Sequence, residues 1–90
     1  MHAVVVQATI NDYERAHEFL TSQVVPQVSQ APGFVTGHWT RSDDNRGLSL
    51  IIFESEEAAQ AVRQVIESSA PDDDAVSIDS VDVREVVANA

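Results

Sequence analysis

Three histidines, at positions 2, 17 and 38, are the side chains of this sequence best suited to moving a proton near neutral pH. Gaps of 15 and 21 residues between them match no metal-ligand spacing. His17-Glu18-Phe19-Leu20-Thr21 opens like the zinc motif H-E-x-x-H, but Thr21 stands where the second His is required. There is no Cys, which excludes thiolate nucleophiles, disulfides and Cys-type metal sites. The chain has no P-loop, no G-x-G-x-x-G and no G-x-S-x-G. Asp72, Asp73 and Asp74 read as a solvated loop, because three adjacent carboxylates cannot all converge on one ion. The sequence therefore predicts no metal site. His17 follows Tyr13 by one helical turn and reads as a surface residue. His38 is left as the candidate base.

Charge narrows the partners. Fifteen carboxylates oppose five bases, all of them Arg (15, 41, 46, 63 and 84), for a net charge of −10. Such a surface repels phosphate backbones and anionic lipid, so neither nucleic acid nor a membrane surface is expected as a partner. No basic stripe interleaved with aromatics exists to offset that repulsion. No apolar run approaches the ~20 residues of a membrane span. With no export signal recognised, the sequence predicts a cytoplasmic protein.

Ninety residues make one domain, spanning 1–90. Fourteen Val and five Ile stand against three Leu, a bias toward pleated sheet. His2–Ile10 reads as a strand, closed by the helix-start signal Asn11-Asp12. Tyr13, Ala16, Leu20 and Val24 then recur at helical spacing. Pro26 predicts a kink near Val25 and a short turn to about Gln30, stopped by Pro32-Gly33. Phe34–Arg41 and Leu48–Glu54 are strands joined by a hairpin turn. Ser55 caps a second helix, whose buried stripe is Ala58, Ala59, Val62, Val65 and Ile66 and which ends near Ser69. Val76–Val87 is a last strand, with a bulge or bend around Asp79 to Val81 where its alternation changes phase. The predicted class is α+β, a ferredoxin-like βαββαβ unit: a four-stranded antiparallel sheet with both helices on one face.

The strand faces point to a site. Placing Ser42 opposite Gly47 puts Trp39 opposite Leu50 and His38 opposite Ile51. The helix-covered face then reads Val35, Gly37, Trp39, Leu48, Leu50 and Ile52. The other face gathers Phe34, Ile51 and Phe53 with Gln7, Thr36, His38 and Ser49. That second face is too apolar to leave in water, and a second copy is its simplest cover. Two such sheets enclose a partly polar space, the setting for a small ligand. Arg41 alternates with Trp39, away from His38, so a neutral aromatic or weakly acidic phenolic ligand suits the space better than a phosphate or dicarboxylate.

The element order, the Pro26 kink, the stretch Ala31-Pro32-Gly33-Phe34-Val35-Thr36-Gly37 and the run from Gly47-Leu48-Ser49-Leu50 into Phe53-Glu54-Ser55-Glu56-Glu57-Ala58 carry a resemblance. Over nearly the whole chain the sequence resembles the dimeric α+β barrel superfamily, within it the antibiotic-biosynthesis-monooxygenase-like domains. The resemblance implies a homodimer and a pocket like those of cofactor-independent monooxygenases acting on phenolic or quinone-like substrates, with no cofactor. In that reading His38 is the catalytic base, Gln7, Thr36 and Ser49 are polar anchors, and Phe34, Ile51 and Phe53 form the apolar wall. The haem-degrading branch is disfavoured: it places a Trp where Phe53 stands and needs a His on the second helix, and residues 55–69 hold none. A non-catalytic ligand-binding module and a fully packed structural homodimer, in which Thr36, His38 and Ser49 only hydrogen-bond across the interface, stand as the alternatives.

Overall fold

A computed structural model describes residues 1–68 and 75–90; the Asp72–Asp74 loop lies outside the described residues. The elements are β1 (His2–Ile10), α1 (Tyr13–Phe19), a π-helical turn (Leu20–Val24), α2 (Val25–Ser29), β2 (Phe34–Arg41), β3 (Arg46–Phe53), α3 (Glu56–Ser68) and β4 (Val76–Glu85). The four strands form one antiparallel sheet in the order β2-β3-β1-β4. This is the βαββαβ arrangement that the sequence predicts.

Local chemistry explains the helix ends and the kink. Asp12 caps α1 by accepting the Arg15 amide, and Ser55 caps α3 by accepting the Ala58 amide at 3.2 Å. Pro26 has no N–H and crowds the carbonyl four residues earlier. The chain answers by widening one turn, with the Val25 amide donating to the Leu20 carbonyl. Thr21 and Ser22 then donate their hydroxyls back to the carbonyls of His17 (2.9 Å) and Glu18 (2.6 Å). The kink expected near Val25 is this π turn.

The core lies between the sheet and α2/α3. Val4, Val6, Ile51 and Phe53 meet Val28, Ala59 and Val62, and the ring of Phe34 meets Phe53 edge-on at 6.1 Å. Gly33 closes the corner, with φ at +82° and its carbonyl accepting the Glu54 amide at 2.8 Å. A Cβ there would lie 2.9 Å from that of Ala58, so only glycine brings β2 this close to α3. Val65, expected in the α3 stripe, is 57% exposed and lies outside the core. No residue of α1 or of the π turn is buried.

The hairpin register differs from the expected one by a residue. Ser42 exchanges hydrogen bonds with Arg46 rather than opposing Gly47, which leaves a three-residue loop, Asp43–Asn45, with Asn45 in the left-handed region at φ 59°. Gly47 has the greater conformational freedom, but Asn tolerates this backbone well enough to end the turn earlier. Trp39 consequently pairs with Ser49 and His38 with Leu50. A bulge at Val35 shifts the pairing again, so that Phe34 pairs with Phe53. In β4 the register shift between Gln7 and Ala8 of β1 leaves Asp79 unpaired, where the broken alternation places a bulge.

Two outcomes test the turn. Asn45→Val should cost about 1–2 kcal/mol, because a β-branched side chain strains a left-handed backbone, whereas Asn45→Gly should stay within about 0.5 kcal/mol; urea midpoints check both. The Ser42 hydroxyl, donating to the Asp44 carboxylate, holds that carboxyl below its ordinary value of 3.8, helped by nearby Arg46. A depressed carboxylate stabilises above its unfolded value and loses that contribution as pH falls through the folded one. The hairpin should therefore weaken only on acidification below about pH 4, and Ser42→Ala should return the Asp44 titration, followed by NMR, toward 3.8.

Candidate functional site

Pairing across the sheet arranges the face away from the helices in rows. Reading β2-β3-β1-β4, they are Thr36–Ile52–Ala3–Arg84, His38–Leu50–Val5–Asp82 and Thr40–Leu48–Gln7–Ser80. Leu48 (48% exposed) and Leu50 (41%) stand open to solvent in the middle of this face. They floor an open depression of about 760 Å³, bordered at one end by Met1 and by the chain end from Val86 to Ala90. That volume falls within the range of small-molecule sites. His38 and Thr36 stand along its β2 edge, and Gln7 on its central strand.

Of the residues the sequence assigns to this face, Gln7, Thr36 and His38 are on it. Phe34, Ser49, Ile51 and Phe53 are not. The one-residue change of register turns all of β3 over, because side chains alternate with period two. Ile51 (1% exposed) and Phe53 (0%) are core residues beneath the helices, Phe34 packs beside them, and Ser49 is half-buried between Val6 and Trp39. Leu48, Leu50 and Ile52, expected under the helices, line the open face instead. A signal for this lay in Asn45, the residue able to end the turn early. Trp39 keeps its expected helix-side place, packed so close to Gly37 that a Cβ there would meet its indole at 2.6 Å.

The remaining ionisable groups are dispersed. Arg41 stacks its guanidinium 3.6 Å over the Tyr13 ring, and Tyr13 lies 5.6 Å from the His17 ring, on the helix side. His2 approaches Glu56 at 3.6 Å by the start of α3. The three histidines thus occupy three different surfaces, and no group of three metal-binding side chains occurs among the described residues. On the open face Arg84 lies 3.8 Å from Asp82. Thr40 donates to the Leu48 carbonyl at 2.7 Å, while Thr9 donates to Asp79 at 2.9 Å. The face therefore presents an apolar strip and one imidazole, with neutral hydrogen-bonding groups beside them and the charged pair Arg84–Asp82 along its β4 edge.

No helix among the described residues is long and apolar enough to cross a membrane. Neither a protein-family model nor a curated sequence matches the chain. Solved structures do match its fold. A mutant of the MhuD protein, crystallised with two manganese protoporphyrins per active site, superposes with a TM-score of 0.73 at 18% identity, covering 100% of this chain and 98% of that one. A monooxygenase of Streptomyces coelicolor in complex with nanaomycin D gives 0.58 at 16% identity, covering 99% and 92%. The heme-degrader MhuD of Mycobacterium tuberculosis, with two hemes in its active site, gives 0.56 at 21%, covering 97% and 98%. By strand order and by these superpositions, the chain has the fold of the antibiotic-biosynthesis-monooxygenase-like dimeric α+β barrels.

Proposed function

We propose that the open sheet face is the floor of a small-molecule pocket, closed by a second copy of the chain, in which a neutral phenol- or quinone-like substrate is oxidised without a cofactor. The observation that carries this reading is the row His38–Leu50–Val5, with Thr36 and Gln7 in the flanking rows. It places one imidazole beside Leu50, which is 41% exposed in the single chain. Shared fold with a monooxygenase crystallised with nanaomycin D supports the reaction class. His38 takes the proton of the substrate hydroxyl, and the resulting anion is the reductant. Oxidation of a phenol to a quinone balances without help: one atom of dioxygen becomes the new carbonyl oxygen and the other leaves as water. The substrate supplies all four electrons. Thr36 and Gln7 orient the ring, while Leu48, Leu50 and Ile52 keep water from the anion. Cytoplasmic location belongs to the same proposal.

Haem ligation of the haem-degrading kind does not suit this chain. α3 has no His to hold an iron, and Phe53, at the junction before it, is fully buried. No step of the proposed reaction runs through it.

A second reading places the ligand between α1 and the sheet, against Trp39. It is favoured by the absence of any buried residue in α1 or the π turn and by the half-buried indole. One titration separates the two. The chain has a single Trp, on the helix side, so a phenol bound on the open face should leave its fluorescence nearly unchanged, whereas quenching at stoichiometric ligand favours the cleft. Under the main reading His38→Ala should lower kcat for phenol oxidation about 10²–10⁴-fold, and unchanged turnover would remove the base role.

Closure by a second copy has its own test. Sedimentation should give a species of about twice 9.8 kDa that persists in ~1 M salt, because salt screens charge and leaves apolar contact intact. Leu50→Glu, altering a residue exposed in the single chain, should weaken that association at least ~100-fold without unfolding the protomer.

A further inference from the structure

We infer that Arg41, on the helix side of the sheet, is a specificity-determining residue that receives the carboxylate of a phenolic acid. The inference rests on the helix-side reading of the ligand site and deepens it by naming the ligand's charge; it is independent of the open face. Four of the five Arg side chains lie beside a carboxylate: Arg15 by Asp12 (3.9 Å), Arg46 by Asp44 (3.8 Å), Arg63 by Glu67 (3.0 Å) and Arg84 by Asp82 (3.8 Å). Arg41 differs. Although the chain carries −10, no carboxylate among the described residues pairs with Arg41, whose guanidinium lies 3.6 Å over the Tyr13 ring.

Stacking on a ring uses the flat face of a guanidinium and leaves its N–H groups, which point outward in its plane, for an acceptor. The fork is thus held in place before a ligand arrives, which lowers the ordering cost of binding. The strands supply the rest of the site. Arg41 pairs with Gly47 and Gly47 with Ala8; Trp39 pairs with Ser49 and Ser49 with Val6. Both rows lie on the helix side, yet Gly47, Ala8, Ser49 and Trp39 are only half-buried, and neither α1 nor the π turn has a buried residue. The rows are two residues apart along each strand, about 7 Å, the span of one benzene ring with a carboxylate at one end and a hydroxyl at the other. With the carboxylate on Arg41, the ring lies beside Trp39 and the hydroxyl reaches Ser49. The direction of Arg41, away from His38, favours a neutral ligand on the open face and an acid on this one.

Titration of the ¹⁵N-labelled chain with 4-hydroxybenzoate, and separately with its neutral counterpart 4-hydroxybenzamide, reads the site through the Trp39 indole N–H and the Arg41 Nε–H. The acid should move both resonances and bind at least ~10-fold tighter than the amide, the selectivity of a charge-assisted pair. Arg41→Gln, at an exposed position, should bring the acid down to the affinity of the amide and leave amide binding unchanged. Ser49→Ala should weaken both probes alike. Equal affinity for acid and amide, or an Arg41 resonance that the acid leaves in place, overturns the inference; a Trp39 shift with both probes then leaves the helix-side reading standing. If neither probe moves Trp39, both fall.

Discussion

The left-handed backbone of Asn45 is the constraint on which the rest of this structure depends. It lets the loop close after three residues, with the Ser42 amide donating to the Arg46 carbonyl at 2.9 Å. The end of β1 holds the same turn, through the Ile10 amide donating to the Asn45 carbonyl at 2.8 Å. Once those bonds are set, period-two alternation gives every β3 side chain its face. Ile51 and Phe53 go beneath the helices, and Leu48, Leu50 and Ile52 go to the open side. A conformational preference worth about 1 kcal/mol decides where several residues, each worth ~1.5–3 kcal/mol on burial, are placed.

The elements were legible in the sequence because they are written in local signals. β1 and β2 have their expected limits, α3 is helical through Ser68, and the bulge in β4 falls where the alternation changes phase. Register was not legible from polarity, and the reason is physical. Both faces of β3 are largely apolar: Leu48, Leu50 and Ile52 on one, Ile51 and Phe53 with the single polar Ser49 on the other. The rule that a buried sheet resists mixed faces cannot discriminate when either face could serve as the core. β1 was unambiguous by contrast, since its open face carries Gln7 and Thr9 while its core face is Val4, Val6 and Ala8. Hence Gln7, Thr36 and His38 lie on the face expected of them, and Phe34, Ser49, Ile51 and Phe53 do not. For Phe34 a further cause was the Val35 bulge, which no side-chain pattern announces.

The two-sided apolar character of β3 is itself informative. A strand covered on one side only tolerates polar residues on the other, and β4 has Ser77, Asp79, Ser80 and Asp82. β3 does not follow suit, although Leu48 and Leu50 stay more than two-fifths exposed in the single chain. Exposed Leu48 and Leu50 in the centre of the sheet face are what the proposed closure by a second copy rests on.

Charge fits the same arrangement. The chain carries −10, whereas the charged side chains of the open face are Arg46 and Arg84 against Asp79 and Asp82, with Glu85 at its rim, so little of the excess lies there. The excess negative charge resides on the helical layer and the connecting segments, where Glu14, Glu18, Glu56, Glu57 and Glu67 are all exposed. Two molecules approaching by their helical sides repel; approaching by their open faces, they bring together the neutral part of each surface. At physiological ionic strength charge acts over ~8 Å, so in the proposed pair the helical layers, held apart by the thickness of two sheets, would contribute little repulsion. The distribution keeps the protein soluble while leaving one face free to associate, and that face is the one carrying His38.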